Sequence, residues 1–297
     1  DIENESQNLL QPEELNYGVR FPAQLLQQPG GSKIYTTSLD YTYPFSKDVK
    51  LQAGGRYSFA DLDNDLRSFE EDSAGVMQPN LLQSNHFIFT EKIMAGYAKM
   101  DWKLGKWSGT AGLRYEDSQS EGYSVTLDST QSRHIGKLFP SASLSRELTK
   151  KLGAAIAYSY RIDRPHYGDL NPFIYYLDPY TFELGNPRLR PSLTHSTKFS
   201  LMYEHQPFFN VEYKHTNDAM VEVTEQDDAT GKTFLTNVNL DAFKVLNISL
   251  FFPLDFIPKV SGYGGFIATF NKYDSPYLDQ QFSRTKWDYT GFLNANI

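Results

Sequence analysis

The side chains with the greatest capacity for chemistry crowd between positions 161 and 191. Arg161, Asp163, Arg164, Tyr167, Asn171, Tyr175, Tyr176 and Tyr180 set phenol rings among charges and an amide, with His166, Asp178, Glu183 and Asn186 close by. Aromatic planes offer wide contact for little lost entropy, and nearby amides and charges fix the orientation of whatever rests on them. These eight residues form the candidate ligand-binding site, suited to a sugar, a chelate or a peptide. A plainer reading stands beside it. The Pro and Gly residues would then set turns in a folded connection, and Arg161, Asp163 and Arg164 would pair with other charges.

Other constellations are weaker. Asp61-Leu62-Asp63-Asn64-Asp65 resembles the opening of a calcium loop, but Leu66 stands where the loop needs its glycine and Asp72 where it needs a bidentate Glu. A solvated acidic loop explains it better. His86, His134, His166, His195, His205 and His215 are scattered, without the close pairing of a zinc site. Gly262-Tyr263-Gly264-Gly265 is not followed by a helix, so it lacks the helix N-terminus of a phosphate cradle and reads as strand glycine. No nucleophile elbow or His–carboxylate spacing stands out. The expectation is no catalytic residue, no metal and no cofactor, hence no enzyme.

The elements that must carry these residues are strands. In Trp107–Glu116, Trp107, Gly109, Ala111, Leu113 and Tyr115 share one face, and Ser108, Thr110, Gly112, Arg114 and Glu116 the other. Gly153–Asp163 and Val49–Phe59 alternate likewise, and weaker versions recur near 33–43, 94–104, 196–204, 208–218, 243–251 and 259–270. Period two predicts an all-β chain of about eleven strands. Short connections at 44–48, 105–106, 147–152, 206–207 and 253–258 alternate with long ones near 61–84, 118–137, 164–192, 225–232 and 273–284. A soluble β-sandwich also alternates, but it does not require this rhythm or such long strands. A transmembrane antiparallel up-and-down β-barrel does, with short turns in the periplasm and long loops outside. Residues 32–297 are then barrel wall, and residues 1–31 a polar loop or extension. Aromatics at strand ends, such as Tyr41, Tyr43, Trp102, Trp107, Tyr158 and Tyr160, would form the interfacial girdles.

Composition agrees. Aromatics make up 15% of the 297 residues while hydrophobic residues reach only 40%. Mean hydropathy is −0.50. Barrel strands average out as polar because every second side chain faces the lumen. A net charge of −8 argues against a nucleic-acid partner, and the absence of Cys excludes disulfides and thiolate sites. The chain opens without a signal-peptide pattern and closes inside a strand-like run, and the odd strand count would not close a barrel, so it reads as a fragment.

Phe139-Pro140-Ser141-Ala142-Ser143-Leu144-Ser145, Tyr158-Ser159-Tyr160-Arg161-Ile162-Asp163-Arg164-Pro165, Asp169-Leu170-Asn171-Pro172-Phe173 and Gly185-Asn186-Pro187-Arg188-Leu189-Arg190-Pro191 together resemble the outer-membrane β-barrel of TonB-dependent receptors. Upstream pieces, including Asp40-Tyr41-Thr42-Tyr43-Pro44 and Ala111-Gly112-Leu113-Arg114-Tyr115-Glu116, follow in the expected order. The resemblance covers roughly residues 33–297. It implies the bacterial outer membrane and a barrel of about 22 strands filled by a plug and energised through TonB. It further implies uptake of a scarce nutrient of the siderophore, glycan, peptide or vitamin class. Outer-membrane lipid, TonB through a plug not found in these residues, a small-molecule or oligomeric cargo and a capping surface lipoprotein are the partners implied. A structural or secretion-associated barrel without active import is the alternative. The register predicts Leu51, Leu113 and Ile156 toward lipid and Arg56, Arg114 and Arg161 toward the lumen. Residues 164–191 are expected outside the cell.

Overall fold

The structure is a computed structural model describing residues 2–10, 23–81, 83–172, 174–176, 180–228, 231–254, 258–277 and 280–296. Its strands are β1 (Ile2–Leu10), β2 (Gln24–Pro44), β3 (Val49–Glu71), β4 (Met77–Pro79), β5 (Asn85–Leu104), β6 (Trp107–Ser124), β7 (Ser129–Glu147) and β8 (Leu152–Asp163). A single helical turn α1 (Tyr167–Leu170) follows, then β9 (Ile174–Tyr176), β10 (Thr181–Leu184), β11 (Ser192–Tyr203), β12 (Gln206–Asp227), β13 (Lys232–Pro253), β14 (Ser261–Tyr277) and β15 (Gln280–Asn296). All belong to one sheet, in which consecutive long strands pair antiparallel from β1 to β15.

Register assigns every side chain to a face, because directly opposed residues of an antiparallel pair point the same way. On β6, Trp107, Ala111, Leu113 and Tyr115 share the face that carries Met94 and Met100 on β5 and Leu138 and Leu144 on β7. The same face continues through Ile156 on β8, Phe199 on β11, Tyr213 on β12, Leu250 on β13, Phe266 on β14 and Trp287 on β15. These large apolar residues are exposed, Leu113 at 48% and Ile156 at 49%. A soluble protein would not leave so wide an apolar patch in water. From Trp107 to Tyr115 the belt runs about 27 Å along the strand, or about 21 Å of membrane depth at the usual tilt. Leu51 lies in the belt too, while Arg56, Arg114 and Arg161 occupy the opposite face.

Eleven of the described strands enter this belt: β2, β3, β5 to β8 and β11 to β15. Short turns join them at one end. At Glu204-His205 both residues have positive φ (47° and 70°), the geometry that suits a tight hairpin, and the turn falls two residues before the Gln206-Pro207 position expected for it.

At the other end the strands run on past the belt. β6 and β7 stay paired up to Ser124↔Ser129, nine residues beyond Tyr115, about 30 Å farther along the strand. The long connections expected near 61–84, 118–137, 225–232 and 273–284 are therefore mostly strand. Outward residues there, such as Asp117, Gln119 and Glu121, stand above the bilayer in water, so both faces are polar and the period-two signal vanishes while the backbone ladder persists. Within the stretch 1–31 read as a polar loop or extension, residues 2–10 pair antiparallel with the start of β2, from Ile2↔Ser32 to Leu10↔Gln24.

Candidate functional site

The segment from Arg164 to Pro191 leaves β8 at the end away from the 148–151 turn and then folds back onto the inner face of the sheet. Leu170 and Leu189 pack with Phe87 and Phe89 of β5 in a buried cluster, flanked by Leu62 of β3, Tyr167 and Met220 of β12. Leu189 is fully buried (0%). β5 and β12 are five strand steps apart along the sheet, a path of about 24 Å. One small cluster reaches both only if the sheet curves toward this face, which is thus the concave, lumenal side.

Polar contacts hold the fold-back in place. Asn85 Nδ2 donates to Asn171 Oδ1 (2.8 Å), Asn237 Nδ2 to Asp169 Oδ1 (3.1 Å), and Asn186 Nδ2 to the Asn237 carbonyl (3.0 Å). Asn239 brackets Arg190, accepting from its N–H and donating to its carbonyl, both at 2.8 Å. Gly185 is obligatory by close approach, since a Cβ there would collide with the Asn171 carbonyl. Beyond it, β10 adds in parallel to β13 at Thr181↔Thr233 to Leu184↔Thr236, above the point where β13 stops pairing with β14.

Electrostatics reinforce the attachment. Glu116, its side chain 7% exposed, accepts from Arg114 Nη2 at 2.7 Å and from Arg164 Nη2, and Arg164 Nε lies 3.5 Å from Glu91. Arg114, Glu116 and Glu91 on the lumenal wall thus anchor the segment through its first residue, Arg164. The Tyr167 hydroxyl donates to the Phe87 carbonyl at 3.2 Å. Burial, aided by the Asp63 carboxylate, pushes its phenol pKa well above the ordinary range.

Beneath the fold-back lies a cavity of about 220 Å³ whose wall includes Glu91, Ser118, Arg133, Arg164, His166 and Tyr167. Arg133 is half-buried and has no ion-pair partner among the described residues. A second hollow of about 290 Å³ on the wall is lined by Ser141, Ser143, Ser159, Arg161, Lys198 and Glu212 among others.

The eight candidate residues thus part company. Arg164 and Tyr167 line the upper cavity. Asn171 is buried against Asn85. Arg161 and Asp163 are exposed on the lumenal face of β8, with no ion pair among the described residues. Tyr180 is 66% exposed. Tyr175 and Tyr176 lie in β9, paired with Glu183 and Phe182, but their side chains and Asp178 fall outside the described residues. Arg133, Glu91 and Glu116 escaped the sequence reading because nothing nearby marks a charged strand residue as a site wall. The acidic run that hinted at a calcium loop lies in β3. Asp61, Asp63 and Asp65 share the outer face and are bound to Thr90, His86 and Arg67 respectively, so they do not converge on one ion. No group of three metal-ligating side chains occurs among the described residues.

Comparison with known proteins settles the family. The model of the outer membrane protein beta-barrel family matches residues 2–297. The chain belongs to that family. The barrel's place is therefore the outer membrane, with the exposed belt in lipid. Among solved structures, the copper transporter OprC superposes with a TM-score of 0.60 at 9% identity, over 87% of this chain and 43% of that one. The ferric citrate transporter FecA gives a TM-score of 0.49 at 11% identity, over 93% and 44%. The ferric yersiniabactin uptake receptor FyuA from Yersinia pestis gives 0.49 at 13%, over 90% and 47%. The barrel thus spans less than half the length of these structures, and the likeness to OprC is one of fold. No curated protein matches the chain.

Proposed function

We propose that the chain forms about half the wall of a TonB-dependent importer and that cargo enters past the folded-back segment 164–191. The observation that carries this reading is the fold-back itself. Apolar anchors, an asparagine ladder and a four-membered charge network fix a long connection inside the lumen, over a cavity lined by cationic and phenolic groups. A wall that only holds a membrane complex together has no need of such a constriction. A wide barrel that must admit one cargo and exclude others does.

In this reading Arg133, Arg164 and Tyr167 face incoming cargo at the upper cavity. Arg161 and Asp163 meet it lower on the wall, Tyr180 forms the lip, and Tyr175 and Tyr176 are proposed to take part in binding the same cargo. Asn171 contributes by holding the segment to β5. A guanidinium such as that of Arg133, with no carboxylate partner among the described residues, favours cargo that presents acceptor oxygens, as siderophores, glycans and peptides do. The plug and TonB would gate passage, and a surface lipoprotein would act at the outer lip.

The test is uptake by cells carrying the full-length protein, with and without the proton gradient, comparing wild type with Arg133→Gln and Tyr180→Ala. Energy-dependent uptake that Arg133→Gln lowers at unchanged barrel abundance supports import through this cavity. If accumulation ignores the gradient, the barrel is a structural or secretion-associated component instead.

A further inference from the structure

The outer face carries a charged feature that import does not use. His195 on β11 opposes His215 on β12, His215 opposes Lys244 on β13, and Lys244 opposes Lys272 on β14. Directly opposed residues share a face, so these four basic side chains form one unbroken outward row across four strands. One rung nearer the membrane, the same strands present Thr197, Tyr213, Leu246 and Phe270, with Trp287 opposite Phe270 on β15. The row therefore sits at the rim of the lipid belt, at the end away from the short turns, which is the outer leaflet. Because barrel strands are tilted, the row runs obliquely to the membrane plane.

Within the row, His195 is satisfied: its Nδ1 bonds the Tyr158 hydroxyl at 2.8 Å, and Tyr160 stacks on its ring at 4.1 Å. The remaining three are not balanced. Lys244 and Lys272 share one carboxylate, Asp274, at 3.6 and 3.4 Å, and Asp274 also accepts from Ser283 at 2.7 Å. His215 Nδ1 is buried and has no hydrogen-bond partner among the described residues. Beyond the belt, the outer faces of β3 and β6 carry Asp61, Asp63, Asp117 and Glu121 instead. A chain of net charge −8 thus concentrates an excess of positive charge at one stretch of its lipid rim.

We propose that His215, Lys244 and Lys272 bind the phosphate of an outer-leaflet glycolipid, whose acyl chains lie against Leu246, Phe270 and Trp287 below. Charge complementarity selects the headgroup. The ammoniums act as point charges toward phosphate oxygens, each strengthening attraction at a membrane surface by about fivefold. The adjoining apolar rung selects a lipid over a free anion.

Native mass spectrometry of the full-length protein in detergent tests this, with three probes: diphosphorylated lipid A, its dephosphorylated form, and inorganic phosphate. Wild type should retain the diphosphorylated lipid, and the pair K244Q/K272Q should retain it about 25-fold less. Asp274→Asn frees both lysines and should raise retention, an effect that a merely structural role for the lysines does not predict and that stands even if the double variant folds poorly. Equal retention of the phosphorylated and dephosphorylated lipids by wild type overturns the proposal. So does displacement of the lipid by millimolar inorganic phosphate, or an Asp274→Asn protein that binds no better than wild type.

Discussion

Replacing Leu189 with Ala should release the inner segment from the wall while leaving the wall intact. The Leu189 side chain is fully buried at 0% exposure among Phe87, Phe89 and Leu170. Truncation removes about three carbon groups, about 2.4 kcal/mol at the usual transfer value, and the cavity left behind brings the cost to about 3 kcal/mol. That loss falls on docking, because Leu189 lies outside every strand of the wall. At about 1.4 kcal/mol per decade, the undocked fraction should rise on the order of 100-fold. Hydrogen exchange reads this directly. The amides of Asn186, bonded to the Asp169 carbonyl at 2.6 Å, and Leu189, bonded to that of Asn186 at 3.0 Å, should exchange correspondingly faster. Those in the middle of β6 should keep their wild-type rates. If the segment's amides speed up less than about threefold, or β6 amides speed up equally, the cluster is not an independent latch and the reasoning fails.

Four further outcomes are expected. Glu116→Gln leaves Arg114 and Arg164 without their shared carboxylate, costing about 1–3 kcal/mol given that both arginines are partly solvated. A double-mutant cycle with Arg164→Gln, followed by denaturant unfolding, should show coupling between the two sites. Leu113→Arg places a charge on the lipid face and should cost about 2–4 kcal/mol on folding into bilayers, whereas Ser143→Arg on the lumenal face should cost far less. Gly185→Ala should undock the segment as Leu189→Ala does, seen as new protease cuts between 167 and 191 in folded barrels. Tyr167 has its folded pKa raised above the unfolded value of about 10, so its contribution is complete below that pH and is lost as pH rises through the folded value. Phenolate absorbance of wild type minus Tyr167→Phe should show one ring still neutral when the bulk has ionised, and a ring that titrates with the bulk would contradict its burial.

The wall was legible where lipid imposes a rule. Leu113, Ile156 and Arg114 announce their faces because hydrocarbon accepts one and rejects the other. Above Tyr115 that rule stops. Asp117, Gln119 and Glu121 face water just as Ser118 and Ser120 face the lumen, and strand becomes indistinguishable from polar loop. The inward turn of 164–191 was illegible for another reason. Leu170 and Leu189 find their partners in Phe87 and Phe89, roughly a hundred residues earlier, within a run where Ile88 is equally apolar and faces the other way. Nothing local tells a lumenal phenylalanine from a lipid-facing one. Arg133 stayed hidden because its significance is the lack of an ion-pair partner among the described residues, which only the assembled wall reveals.

The paired extensions above the membrane also constrain how the protein can vary. A free loop absorbs an inserted residue anywhere, but one inserted into an arm of the β6–β7 hairpin, such as beside Gln119, turns every residue beyond it to the opposite face until a bulge takes up the slip. Asp117 and its bond to His134 at 2.7 Å would survive only if the slip fell farther from the bilayer. Growth and shrinkage should therefore proceed by matched steps on both arms or be confined to the tip at 125–128. A surface epitope is best grafted at that tip, and lineages diverging under attack from outside should differ in hairpin height sooner than in hairpin position.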